Sequence, residues 1–381
     1  MDFLEGVKVI DATRLLPGGF CTMLLSDMGA EVVKVEQPGL GDYMRHTPPT
    51  RKGRSPVHST VNRNKESIGL DLKSQEGKEV MRRLLKEADV FVEGFRPGAM
   101  SRLGFSFDKV RQINPKIVYC SISSYGQDSK LSSMPAHDIN FQAMAGTLAY
   151  SPGAEVPLLQ LGDMTSAMYA ALGILGALVE RKGPVHIDVP IVGSLLSWMV
   201  IPAAAYLATG KAPKQGHSLV FGSTPYYNLY RTSDGKHLAV AAIEEGFWRN
   251  LVVALGVPEL ENKRFGTLRE RKEVTAGLRR TFATKTRDEW AKLLMGKDTC
   301  VTPVLTVEEA LTSDWAKELP MLIHLSKDET LVNGPVRSHP LMRRKPFTRA
   351  PSLGEDTVEI MRSLGYSAKE TSTLRSKGVL Q

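Results

Sequence analysis

Strand-like and helix-like segments alternate over the first 125 residues, and this restricts the fold more than any other feature of the chain. Val7–Ile10 is a short apolar run, and Phe20–Met28 has helical spacing that Gly29 stops. Glu31–Val35 alternates, Glu76–Leu85 reads as an amphipathic helix, and Asp89–Glu93 and Ile117–Ile122 read as strands. Strands separated by helical patterns argue for parallel pairing through crossover helices. The pattern predicts an α/β fold with a large doubly wound, Rossmann-like parallel sheet. Leu16-Pro17-Gly18-Gly19 follows the first strand, but the glycine spacing of a dinucleotide-binding turn is absent, so NAD and FAD are not expected.

Further helices are predicted over Asp138–Thr147 and Asp163–Glu180. The second is apolar almost all round, through Met164, Ala167, Met168, Ala171, Leu172, Leu175 and Leu178, which predicts deep burial. Val185–Val189 reads as a strand, and Ile191–Thr209 as a long apolar helix containing Pro202. It stands alone in an otherwise amphipathic chain, so we read it as a core or interface helix and not a membrane span. Gly210 to Gly222 is polar and reads as a linker. A smaller α+β unit follows, with strands at Tyr226–Arg231 and His237–Ala242 around a Ser233-Asp234-Gly235 turn. Helices are expected at Gly246–Leu255, Thr275–Thr284 and Arg287–Leu294. Pro320–Pro351 is irregular, and two helical patterns close the chain at Thr357–Leu364 and Ala368–Lys377.

The net charge of +8 favours anionic partners. There is no zinc-finger spacing, basic helix or basic–aromatic pattern, so nucleic acid is not expected. A phosphate-rich small molecule accounts for the same excess. The clusters Arg51–Arg54, Arg63–Lys65 and Arg343–Lys345 are equally readable as solvated surface. Cys21, Cys120 and Cys300 lie far apart and form neither a metal spacing nor a disulfide framework. With no basic-then-apolar stretch at the N-terminus, a cytoplasmic location is the expectation.

Three carboxylate or histidine positions can carry chemistry. In Pro135-Ala136-His137-Asp138-Ile139-Asn140-Phe141, Asp138 is expected to cap a helix, which puts His137 at a helix mouth as a candidate base. Asp163 opens the apolar helix, which has no other carboxylate before Glu180. It reads either as a structural cap or as a carboxylate made useful by burial. Glu244, where a strand hands over to a helix, is either an exposed helix-start acid or an acceptor that orients a histidine. Arg96 follows the Asp89–Glu93 strand, and with Arg102 and Lys73 it supplies residue types suited to phosphates.

Together these motifs resemble class III CoA-transferases, specifically the alpha-methylacyl-CoA racemase branch. The resemblance runs through residues 9–18, 24–36 and 64–73, Glu-Gly-Phe-Arg-Pro-Gly at 93–98, Ala-His-Asp-Ile-Asn-Phe at 136–141, and Gly162-Asp163. It continues through 230–235, Ala-Ile-Glu at 242–244 and Cys-Val-Thr-Pro-Val-Leu at 300–305. It implies an interlaced homodimer acting on an acyl-CoA, with no cofactor beyond the CoA of the substrate. In the racemase branch the counterparts of His137 and Asp163 flank the alpha carbon, and that of Glu244 hydrogen-bonds the histidine. In the transferase branch the counterpart of Asp163 is the nucleophile. Family CoA contacts match Lys73, Gly94, Arg96 and Arg102, and a tyrosine near the site matches Tyr227. The expected reaction is racemisation of 2-methylacyl-CoA, with CoA transfer to a carboxylate as the alternative. Three places depart from the family pattern, the first being the loop Gln127–Met134, which lacks the usual Thr-Gly-Pro after Gly126-Gln127. Gln37 stands where an arginine is common, and Met164-Thr165-Ser166-Ala167 replaces the glycine cluster usual in racemases. The expected organisation is a large domain over 1–190 to which 330–381 returns, a linker over 191–221, a small domain over 222–318 and a second linker over 319–329.

Overall fold

The protein is described as a computed structural model covering residues 2–150, 155–180, 182–214, 222–336 and 346–381. It divides into two compact units, Met1–Met199 with Glu318–Gln381, and Val200–Lys317. The expected cluster Arg343–Lys345 and the 215–221 part of the expected linker lie outside the described residues.

The first unit is built on a six-stranded parallel sheet in the order β3-β2-β1-β4-β5-β6. The strands are β1 (Lys8–Ala12), β2 (Glu31–Glu36), β3 (Lys65–Gly69), β4 (Val90–Glu93), β5 (Val118–Ser123) and β6 (Val185–Pro190). Every residue of β4 and β5 is buried, as expected of central strands covered on both faces. One face packs against α1 (Leu15–Asp27), α7 (Leu161–Glu180) and α8 (Ile191–Trp198), through Cys21, Leu25, Ala167, Ala170, Ile174 and Ile191. The other packs against α3 (Gln75–Glu87) and α5 (Phe107–Ile113), through Val80, Met81, Leu84, Leu85 and Val110. The C-terminal helices α15 (Thr357–Ser363) and α16 (Ala368–Ser376) return to this same face with Ile360, Met361 and Leu374. Leu380 bridges Leu70, and Gln381 N–H donates to the Gly69 carbonyl, so the chain end lies beside β3. The short helices α2 (Pro56–Val61), α4 (Ala99–Leu103) and α6 (Asp138–Ala145) shape the loops between these elements.

Three expectations need correction. The α7 helix is not deeply buried: Met168 is 42%, Leu172 61% and Val179 88% exposed, because only one of its apolar faces meets the sheet. Among the described residues it is the single unbroken helix long and apolar enough to cross a membrane. Its small face of Ala167, Ala170 and Ala171 is used instead to approach the core closely. The apolar stretch over 191–209 is two helices, α8 and α9 (Val200–Thr209), interrupted at Met199. The break leaves Pro202 in the first turn of α9, where its missing N–H costs nothing. Finally, Arg63 and Lys65 are buried rather than solvated. Arg63 makes a bidentate pair with Asp27 at 3.0 and 2.6 Å, and Lys65 opens β3 with its ammonium 3.0 Å from Asp11.

The second unit is α+β. A three-stranded antiparallel sheet joins β7 (Tyr227–Arg231), β8 (His237–Ala241) and β9 (Val301–Pro303). Helices α10 (Glu245–Ala254), α11 (Leu268–Phe282) and α12 (Arg287–Leu294) pack on it through Trp248, Leu251, Leu278, Phe282 and Trp290. Two short helices follow, α13 (Val307–Thr312) and α14 (Asp314–Glu318). In the β7–β8 turn, Gly235 takes φ +78°, a left-handed conformation that glycine adopts without strain. A small antiparallel pair, β10 (Leu322–His324) and β11 (Thr330–Val332), belongs to the first unit.

Candidate active site

The strand order reverses between β1 and β4, and ligands of doubly wound sheets bind outside the strand C-termini at such a switch point. A cleft of about 480 Å³ opens there. Its walls come from the loops after β1, β4 and β5 and from the starts of α6 and α7. His137, Asp163, Gly94 and Arg96 all line it.

The β1–α1 loop is held from beneath by buried charge. Asp11 accepts from the Thr13 amide and hydroxyl at 2.9 and 2.6 Å, from Thr22 Oγ1 at 2.7 Å and from Lys65 Nζ at 3.0 Å. Burial alone would raise its pKa, but Lys34 and Lys65, with the two threonines, hold it well below the usual carboxylate range. Lys34 is also buried; it pairs with Asp42 at 3.1 Å and donates to the Thr13 carbonyl at 3.1 Å. The loop so fixed leads into Leu15, the first residue of α1, at φ 65°, a strained conformation for a non-glycine residue. In the first turn of α1, a Cβ at Gly18 would lie 2.2 Å from Thr13 Cβ, so the helix can start against this loop only with glycine there.

The two helix starts that bear His137 and Asp163 are tied by one side chain. Asp138 was expected to cap α6, but His137 occupies the N-cap, with its amide donating to Asn140 Oδ1 at 3.0 Å. Asp138 instead accepts from the Asp163 amide at 3.0 Å and from Gln142 Nε2 at 2.6 Å. It therefore serves the start of α7, two residues inside which Asp163 sits. Gly162 makes this approach possible: a Cβ there would lie 3.1 Å from both Asp138 Oδ1 and Phe141 Cβ. Asp163 is partly buried. Burial first, and then the Asp138 charge, raise its pKa to about 7. His137 is exposed at the cleft.

Glu93 ends β4 beneath the Gly94–Pro97 wall, and its Oε2 accepts the Phe95 amide at 2.8 Å. Burial raises its pKa to about 7, against the opposing hydrogen bonds from Ser121 and Phe95. Arg14 and Phe95 line both the cleft and an adjoining cavity of about 120 Å³, which Gln37, Asp71, Leu72 and Lys73 also line. The Arg14 guanidinium lies 5.3 Å from the ring centroids of both Tyr43 and Phe95 and reaches Gln37 Oε1 at 3.4 Å. Gln37 therefore serves as an acceptor for Arg14. Arg102 lies on α4, its guanidinium near Gly98, and does not line either space.

The structure thus gathers four of the expected residues in one cleft and Lys73 in the space beside it. Tyr227 and Glu244 belong to the second unit, where Tyr227 opens β7 half-buried and Glu244 is exposed immediately before α10. Sequence reasoning missed Arg14, Tyr43, Phe95 and Glu93. For Arg14, Glu93 and Phe95 the one signal was position, since they end or lie within two residues of the two strands that flank the switch point; Tyr43 had none.

Comparison with known proteins agrees with this architecture. The chain is 34% identical to the human alpha-methylacyl-CoA racemase, over 99% of this chain and 97% of that one. It is 31% identical to the human succinyl-CoA:glutarate CoA-transferase, over 99% and 90%. The crystal structure of a CAIB/BAIF family protein from Brucella suis superposes with a TM-score of 0.83 at 28% identity, covering 95% of this chain and 99% of that one. The family profile of CoA-transferase family III matches residues 4–357, and the chain belongs to that family.

Proposed function

We propose that the protein is a 2-methylacyl-CoA racemase that moves a proton at the alpha carbon of the thioester, with His137 and Asp163 as the two acid–base groups. The observation that carries this reading is their presence in one cleft, with the Asp163 pKa raised to about 7. Inverting one carbon requires a base on one face and an acid on the other. The alpha C–H bond breaks, its proton passes to the first group, and the second group delivers its own proton to the opposite face of the planar enolate. An aspartate titrating near neutrality can serve in either role, whereas an ordinary aspartate is too weak a base to share the task with an imidazole. The enolate oxygen would be stabilised by backbone N–H groups at the cleft. Glu244 is the proposed carboxylate that orients the imidazole, and Tyr227 a neighbour of the acyl group. Gly94, Arg96, Arg102 and Lys73 are the proposed contacts of the CoA moiety. No cofactor beyond the substrate's CoA enters this chemistry.

A second reading, CoA transfer to a carboxylate with Asp163 as nucleophile, is favoured by relatives of that activity at similar identity. The two readings separate in one experiment. With a 2-methylacyl-CoA in deuterated water and no acceptor acid, racemisation predicts alpha-proton exchange. His137→Ala should lower that exchange by at least about 100-fold, as loss of a general acid–base group does. Absence of exchange, together with CoA transfer to an added carboxylate, would replace this reading with the second. Glu244→Gln should reduce exchange less than His137→Ala.

We also propose a homodimer, supported by the apolar residues that α7 leaves exposed.

A further inference from the structure

Beyond the turn that follows β2 lies another cavity, of about 340 Å³, which shares no lining residue with the cleft or the space beside it. Arg45, His46, Lys52, Arg54, His58 and Ser352 contribute to its wall, and no Asp or Glu is among its described lining residues. Arg45 is committed to Glu36, at 2.8 and 2.5 Å, and Lys52 is paired with Asp328 at 2.6 Å. Arg54 has no carboxylate partner among the described residues. Among the described residues its guanidinium donates only to Ser352 Oγ, at 3.4 Å.

His58 makes the site more than a basic surface. The residue is 4% exposed, yet among the described residues its Nε2 has no hydrogen-bond partner. Buried polar atoms are normally satisfied, so this orphan, in a residue that lines the cavity, marks a place where a partner belongs; the nitrogen itself is covered, and a turn of the ring would present it to the cavity. Burial first, and then the charges of Arg45 and Lys34, lower the imidazole pKa to about 3. The ring is therefore neutral near pH 7 and can donate one N–H to an acceptor. A tetrahedral oxyanion presents several acceptor oxygens and can engage a guanidinium and this N–H together.

We propose that this cavity binds a small phosphate-class anion, held by Arg54 and by His58. The anion supplies the charge partner that Arg54 lacks and the acceptor that His58 lacks.

The test is calorimetric titration of the full chain with inorganic phosphate at low ionic strength, alongside phosphate-dependent thermal melting. Saturable one-site binding is expected, with a melting temperature that climbs with phosphate. Arg54→Gln, a change at an exposed position, should weaken binding about tenfold, the loss of one charged hydrogen bond. Arg82→Gln removes an exposed arginine from α3 and should leave affinity unchanged. Competition by adenosine monophosphate would assign the phosphoryl group to a nucleotide, and its failure to compete would assign free phosphate; both uphold the site. Absence of saturable binding, or equal weakening by the two arginine changes, would overturn it. So would displacement of phosphate by coenzyme A but not by dephospho-coenzyme A, which would move the anion to the thioester's own site.

Discussion

Asp163 gains its raised pKa from burial and from Asp138, whose carboxylate is fixed at the same helix start by the Asp163 amide. That arrangement costs stability at the pH where the group ionises. The folded-state pKa of about 7 lies above the unfolded value of 3.8, so the native state binds more protons between those values. Stability from this group is present at low pH and is lost as pH climbs from about 4 to about 7. Asp163→Asn removes the titration. Urea unfolding of both proteins at pH 4.5 and pH 8 should show the variant gaining about 1–3 kcal/mol relative to the parent at the higher pH. Glu93 also titrates near 7, but it is common to both proteins and cancels in the difference. An equal difference at the two pH values would show that Asp163 ionises as an ordinary carboxylate. At this scale the sequence was legible for residue type and silent about partners. His137 and Asp163 were readable as helix-start residues, but the role of Asp138 was assigned to the wrong helix. Its partner, the Asp163 amide, is 25 residues away, and no local pattern reports a contact of that range.

The elements were legible where apolar periodicity is strong and opaque where charge is buried. The sheet strands β1, β2, β4 and β5 follow from Val- and Ile-rich runs. The edge strand β3, Lys-Glu-Ser-Ile-Gly, does not, because Lys65 is polar until Asp11 pairs with it. Helix α11 was predicted to begin at Thr275 but begins at Leu268, since its first turns are almost entirely charged. The Thr267 and Glu270 capping box was the overlooked sign. The start of α1 was obscured in the same way, because Pro17-Gly18-Gly19 looks like a loop and is the first turn of a helix. Gly18 supports a prediction about that element. Gly18→Ala would force a methyl group into Thr13, so either the helix start or the cleft-lining loop must move. Overpacking of this kind costs about 1–3 kcal/mol. Chemical denaturation should show that loss, with the acyl-CoA reaction reduced further than stability explains because Gly18 and Arg14 line the cleft. Parental stability and activity in this variant would show that the loop is not constrained as the structure indicates.

For the whole molecule, the alternation of strands and helices was enough to predict the doubly wound sheet, yet the expectation for α7 failed in an informative way. A helix apolar on every side was read as buried within its own chain. In the structure one face meets the sheet, and Met168, Leu172 and Val179 remain exposed. These residues are spaced four and seven apart, so they form a stripe along one side of the helix. Gly176 lies on the same side with nothing near its missing Cβ, which would let another backbone approach closely. Soluble chains rarely leave a contiguous apolar stripe to water, and the proposed homodimer would cover it. Light scattering should then give a particle of twice the 41.9 kDa chain mass. Introducing Leu172→Asp with Val179→Asp places two charges on the stripe without touching the face that packs on the sheet. The double variant should keep its helical circular dichroism and scatter as a monomer. A variant that remains a dimer would show that the second copy meets the protein elsewhere, leaving the apolar stripe of α7 without an occupant.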